Sequence, residues 1–144
     1  MTESTNIVCQ HCQAVNRIST PRLGDHPVCG KCKNRLFEGR PLDLNKKAFD
    51  QNLTRNGIPM IVDFWASWCG PCKAMAPAFE QAAVDLEPHA RLVRLNTELE
   101  SEVASRYGIR AIPTIIMFKD GKEVLRQSGA MTAKQIVDWA RSAI

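Results

Sequence analysis

No run of uninterrupted apolar residues in this 144-residue chain approaches the length needed to cross a membrane. The start, MTESTNIVCQHC, has no basic segment followed by an apolar one, so it does not read as a secretion signal. A net charge of +4 is mild, and nucleic-acid binders usually draw a concentrated basic patch, which is missing here. There is no nucleotide-binding glycine motif and no low-complexity tract. The one internal repetition is a spacing, Cys-x-x-Cys, which occurs as CQHC, CGKC and CGPC. These absences lead to the expectation of a cytoplasmic protein with neither a membrane nor a nucleic acid as partner. In a reducing compartment, Cys-x-x-Cys pairs are more often catalytic or metal-binding than permanent staples.

What is present divides into two parts. Hydrophobic residues make up 44% and charged residues 24%, as in a folded globular chain. Residues 1–40 carry six Lys/Arg and three Asp/Glu, so most of the basic excess lies there. That stretch is rich in Asn, Gln, Arg, Pro and Gly and poor in large apolar residues. It cannot fold by the hydrophobic effect alone. The grammar changes within residues 36–42, which predicts a small segment over 1–38 and an ordinary domain over 39–144.

In the larger part, strand and helix signals alternate. NKKAFDQNLTRN places Phe49 and Leu53 on one helix face, and MIVDFWA (60–66) reads as a buried strand. A helix is predicted from about Gly70 to Glu87, with Met75, Phe79, Ala82, Ala83 and Leu86 inward and a kink at Pro77. RLVRLN is a second core strand. Leu99 to Tyr107 reads as a short helix stopped by Gly108. TIIMFKDGKEVLRQSG is a hairpin turned at Asp120-Gly121. Thr132 and Gln135 form a capping box for a last helix, with Ile136, Trp139, Ala140 and Ala143 as its buried stripe. The order implies an α/β fold, a mixed sheet with helices on both faces.

Cys69 and Cys72 fall where a strand gives way to a helix. Residues three apart share a helix face, so their sulfurs can meet. At the helix N-terminus, free N–H groups and the dipole favour negative charge, so Cys69 should ionise readily, and the thiolate is the attacking species. Pro71 suits the first turn, where its missing N–H has no partner to lose. Cys72, one turn deeper, is the natural resolving thiol. The pair as half of a metal site is the competing reading, which Gly-Pro between the cysteines disfavours. Covalent haem attachment would want His at position 73, which is Lys. Asp63 interrupts an otherwise apolar strand. Either its oxygens are satisfied by backbone donors or a cation, or it accepts the Cys72 proton; the neighbouring pair favours the second.

VDFWASWCGPCK and YGIRAIPT resemble the thioredoxin family over about residues 42–144. The resemblance implies Cys69 as nucleophile, Cys72 as resolver and Asp63 as buried proton acceptor, with Trp65 and Trp68 packed around the pair. It also implies a cis bond before Pro113, facing the disulfide. Ile112 would then offer its backbone to an extended client segment, and Ser128-Gly129-Ala130 would form the opposite wall. Trp68, Gly70, Pro71, Ile112, Pro113 and Gly129 are thus the expected substrate-binding residues. Two positions depart from the pattern. Ser67 stands where the family often has proline or glutamate. Arg94 stands where it commonly has lysine beside the buried Asp, which predicts a less elevated Asp63 pKa.

Cys9, Cys12, Cys29 and Cys32 follow C-x2-C-x16-C-x2-C, the spacing of a closed, four-thiolate zinc site. One structural zinc ion would supply most of this segment's folding energy. Lys31 and Lys33 would soften the net −2 of four thiolates and a divalent ion. Two disulfides, iron in place of zinc, and His11 or His26 as a ligand are the alternatives; those histidines and His89 otherwise read as exposed loop residues. A zinc-ribbon-like segment before such a domain resembles the second bacterial type of thioredoxin and extends the match to nearly the whole chain.

The function implied is that of a protein-disulfide reductase. It would be monomeric, exchange dithiol for disulfide with client proteins, and be recycled by an NADPH-dependent thioredoxin reductase. The alternatives are a peptide-binding module on the same groove and a redox sensor that ejects zinc on oxidation.

Overall fold

In the computed structural model, which describes residues 3–144, two short, largely apolar runs form adjacent central strands. β4 (Met60–Trp65) and β6 (Thr114–Lys119) pair antiparallel, and β5 (Arg91–Asn96) runs parallel to β4 on its other side. A two-residue strand, β3 (Leu42–Asp43), extends the sheet beyond β5, and β7 (Lys122–Ser128) closes the opposite edge, giving the order β3-β5-β4-β6-β7. A strand buried on both faces needs apolar residues at successive positions, and β4 is buried from Met60 to Phe64.

The sheet's two faces carry different helices. Ile61, Leu92, Ile115 and Met117 pack against Met75 and Phe79 of α2 (Gly70–Leu86) and Ile136 and Ala140 of α4 (Ala133–Arg141). Met60, Val62, Phe64 and Val93 pack against Phe49 of α1 (Lys46–Arg55) and Val103 of α3 (Ser101–Arg106). This is the mixed sheet with helices on both faces that the sequence implies. The Asp120-Gly121 turn has φ of 52° and 78°, the paired positive values of a tight hairpin. The capping box of Thr132 and Gln135 is formed, each side chain accepting from the other's backbone N–H. α2 continues as one element through Pro77.

One expectation is corrected. α3 begins at Ser101 rather than Leu99, because Asn96 Oδ1 accepts from the N–H groups of Glu98 and Leu99 and holds them in a turn; Leu99 is left exposed. The N-terminal zinc-ribbon-like segment contains an antiparallel hairpin of β1 (Ser4–Val8) and β2 (Val15–Ser19), for which the sequence shows no strand signal.

That segment packs on the larger part. Ile7, Leu23 and Leu36 form a small cluster with Ile58, which lies just before β4. Gly57 N–H donates to Asn6 O at 2.7 Å. The contact lies at the N-terminal ends of β4 and β5, the end of the sheet away from Cys69.

Candidate functional site

The first cluster of chemically able groups lies at the C-terminal end of β4. The chain leaves Trp65, turns through Ala66–Trp68 and enters α2, with Cys69 as its N-cap. Cys72 N–H points at Cys69 Sγ from 3.2 Å. The two sulfurs are joined as a disulfide. Cys69 is 4% exposed and Cys72 fully buried, so the outer sulfur is the one a partner can reach. A sulfur in this position, once reduced, receives a backbone N–H and the positive end of a 17-residue helix, and both stabilise the thiolate.

Around the pair, the Ile112–Pro113 bond is cis, and the Ile112 carbonyl oxygen lies 3.8 Å from Cys69 Sγ. Gly129 N–H donates to Pro113 O at 2.9 Å, and its φ of +97° is one that side-chain-bearing residues rarely adopt. Trp65 and Ile112 pack against Ala66, Cys69 and Cys72. Trp68 does not: its side chain is 70% exposed, because it leaves the turn just before the helix cap and points to solvent. Gly70 and Pro71 are exposed in the first turn of α2.

Asp63 is fully buried on the sheet face that α2 covers, and neither carboxylate oxygen has a hydrogen-bond partner among the described residues. The reading in which backbone donors satisfy it is therefore not met. Burial pushes its pKa up to about 7, against a smaller lowering by the Arg94 charge. Arg94 Nε lies 3.8 Å from Asp63 Oδ2, and its guanidinium stacks over the Trp65 ring at 4.2 Å. Ser67 donates both its N–H, at 2.9 Å, and its hydroxyl, at 2.7 Å, to Glu98 Oε1, and these bonds lower the Glu98 pKa. Proline at position 67 could make neither bond. Glu98 escaped the sequence reading, since no local signal links it to a residue 31 positions away.

The second cluster is the four N-terminal cysteines. Their sulfurs all lie within 4.8 Å of one another. Cys9 and Cys32 Sγ are 3.6 Å apart, as are Cys12 and Cys29 Sγ. A tetrahedron with ~2.3 Å metal–sulfur bonds has edges of about 3.8 Å, so the donor set fits a tetrathiolate ion. A disulfide needs about 2.05 Å, and all four are free thiols, which speaks against the two-disulfide alternative.

The two halves are built alike. Gln13 N–H donates to Cys9 O and Lys33 N–H to Cys29 O, with Gln13 and Lys33 at φ of 66° and 68°. Cys9 Sγ accepts from the N–H groups of His11 and Cys12, and Cys29 Sγ from those of Lys31 and Cys32. The Cys32 N–H is the largest influence bringing Cys29 down to about 6, whereas burial pushes Cys9 up to about 11. His11 is exposed and pairs with Glu38; His26 and His89 are exposed. Lys33 turns its Nζ to Gly30 O, within the Cys29–Cys32 loop, at 2.8 Å. A buried cation does lie behind Cys9: Arg91 Nη2 donates to Val8 O at 3.2 Å. It comes from the larger part and was missed in the sequence, where RLVRLN reads simply as a strand.

Two family models match stretches of this chain. Residues 40–142 match the thioredoxin family and residues 8–34 match the zinc ribbon described as "Thioredoxin 2, N-terminal". The chain is 36% identical over 133 residues to thioredoxin C-3 of Corynebacterium nephridii, covering 92% of this chain and 91% of that one. It is 45% identical over 83 residues to thioredoxin 1 of Synechococcus elongatus, covering 58% and 78%. Among solved structures, a mutant thioredoxin from Halobacterium salinarum superposes with a TM-score of 0.66 at 28% identity, covering 74% of this chain and 92% of that one.

Proposed function

This chain belongs to the thioredoxin family and is a thiol-disulfide oxidoreductase, and from that premise we propose that Cys69 is its nucleophile and Cys72 its resolving thiol. The Cys69 thiolate attacks one sulfur of a client disulfide, forming a mixed disulfide and releasing the other client sulfur as a thiolate that takes up a proton. Cys72, giving its proton to Asp63, attacks Cys69 Sγ and expels the second client thiolate. Two electrons pass to the client, and the Cys69–Cys72 disulfide is left. The observation that carries this assignment is the placing of Cys69 as the N-cap of α2 with the Cys72 N–H 3.2 Å from its sulfur.

Asp63 suits the base role because a carboxyl with pKa about 7 takes and returns a proton near neutrality. Trp68, Gly70, Pro71, Ile112, Pro113 and Gly129 form the client surface, with the Ile112 backbone pairing with an extended segment. Recycling falls to an NADPH-dependent thioredoxin reductase, since the chain has no nucleotide-binding glycine motif of its own. Cytoplasmic electron transfer to disulfide-bearing clients, by a monomer, completes the reading. No helix among the described residues is long and apolar enough to cross a membrane.

The N-terminal unit, taken as residues 1–38 before a redox domain of 39–144, holds one structural zinc ion through Cys9, Cys12, Cys29 and Cys32. Four protein ligands leave no open position, which supports a structural ion. The test is reduction of insulin disulfides by the full chain. The Cys69→Ser variant is expected to lose turnover entirely, and a variant that kept it would overturn the assignment. Metal analysis with thiol counting should find one zinc, four protected thiols and one reversible pair.

A further inference from the structure

We propose that the four-cysteine site is not autonomous: Arg91 and Asn56 of the redox domain are positioning residues for it, because together they fix the two peptide units that flank Val8, the residue that presents Cys9. This rests on the reading of that cluster as a metal site.

Val8 immediately precedes Cys9, and both of its backbone polar groups are held by the redox domain. Its N–H donates to Asn56 Oδ1 at 2.8 Å. Its carbonyl accepts from Arg91 Nη2 at 3.2 Å. Asn56 is itself fixed, donating to Asn52 Oδ1 at 2.6 Å from a buried position. Arg91 is fully buried, and its Nη2 also donates to Leu36 O at 2.9 Å, on the far side of the second cysteine pair. Its Nη1 reaches Glu87 Oε2 at 3.3 Å, and its guanidinium lies over the Phe37 ring at 4.6 Å. Glu87 Oε1 in turn accepts from Gly39 N–H at 2.8 Å. The Nη2 group thus ties the start of the first cysteine pair to the exit of the second, and the planar fork, anchored through Nη1 on Glu87, fixes the direction of both bonds more firmly than an ammonium on a flexible stem.

The position also has an electrostatic sense. Four thiolates around a divalent ion carry a net −2, and two of them, Cys9 and Cys29, are fully buried. Arg91 is a buried, permanently charged cation beside Cys9, and its own partner Glu87 is the price of burying it. Groups behind the ligands that orient them commonly alter metal affinity by about 10- to 100-fold when removed.

The experiment uses the full-length zinc-loaded chain and follows zinc transfer to a chromogenic chelator, with the absorption bands of cobalt-substituted protein as a second reading of site geometry. In Arg91→Met/Glu87→Gln both charges leave together, so neither is stranded. Zinc release is expected to be faster by about 10-fold or more, with shifted cobalt bands. Arg91→Lys, which keeps the charge but not the fork, should lie closer to this variant than to the parent. Val103→Ala, a cavity in the core under α3, lowers overall stability without touching the ribbon and should leave release unchanged. Should the double variant fail to fold, Asn56→Ala tests the other backbone bond of Val8, with the same expectation. Release within about twofold of the parent in the folded variants, or equal acceleration by Val103→Ala, overturns the proposal. A parent chain that takes up neither zinc nor cobalt would instead remove the metal reading on which it stands.

Discussion

Arg94 sits beside Asp63 without bonding to it: Nε lies 3.8 Å from Oδ2, and both atoms lack a hydrogen-bond partner among the described residues. The guanidinium is held instead by its stack on Trp65. Its charge therefore acts on the carboxylate through space, and being permanent it acts at every pH near neutrality. A lysine can shed its proton when buried and gives up that help. Titration of Asp63 in the reduced protein is expected to give a higher pKa in Arg94→Lys than in the parent. Equal values would show that the arginine has no such influence.

The elevated Asp63 pKa makes stability depend on pH in a definite direction. Its pKa is about 7 folded and about 3.9 unfolded, so between these values the folded state binds more protons. Stability should fall as pH rises from about 4 to about 7, by a few kcal/mol in all, and not recover above. Asp63→Asn removes the ionisation and should be the more stable protein at pH 8, with its profile flattened over that window. Urea unfolding at pH 5 and pH 8 measures both; a parent protein equally stable at the two would refute the burial argument.

If Cys72 resolves what Cys69 captures, removing it should stop the reaction halfway. Cys72→Ser is expected to accumulate a covalent client adduct through Cys69, visible on non-reducing gels and reversed by dithiothreitol, with turnover lost. An adduct through any other cysteine, located by peptide mass analysis, would contradict the assigned order of attack.

Gly57 lies at the contact between the ribbon and the redox domain. A Cβ there would stand 3.0 Å from Thr5 Cγ2 and 3.2 Å from the Asn6 backbone nitrogen. The backbone cannot yield as a side-chain tip can, so Gly57→Ala should push β1 away at a cost of about 1–3 kcal/mol. Hydrogen exchange at Val8 should accelerate, since its N–H depends on Asn56 across the same contact. Unchanged exchange would mean that the two parts have slack between them.

Much of this was legible beforehand because the signals are local. The core strands, the Asp120-Gly121 turn, the Thr132–Gln135 cap and the C-x2-C-x16-C-x2-C spacing each rest on residues a few positions apart or on one repeating distance. The mixed sheet and the closeness of the four sulfurs followed from them. What escaped reading is long-range. Nothing near Arg91 says that it will bond to Val8, 83 positions earlier, or that Glu98 will receive Ser67. β1 and β2 were hidden because STNIV and VNRIS are too polar to announce strands; pairing with each other and cover from Ile58 make them so. Leu99 looked like a helix residue by type, but the Asn96 side chain decided otherwise.

The ribbon grips the start of β4, and the reactive pair follows the far end of that six-residue strand, about 20 Å away. A chain with six cysteines is at risk of scrambling itself, since any free thiolate near its own disulfide is a competitor for it. Here the strand is a spacer. With the roles proposed for them, the four clustered sulfurs and the Cys69–Cys72 pair lie beyond opposite ends of that strand, so the molecule would cycle between oxidation states without consuming its own anchor.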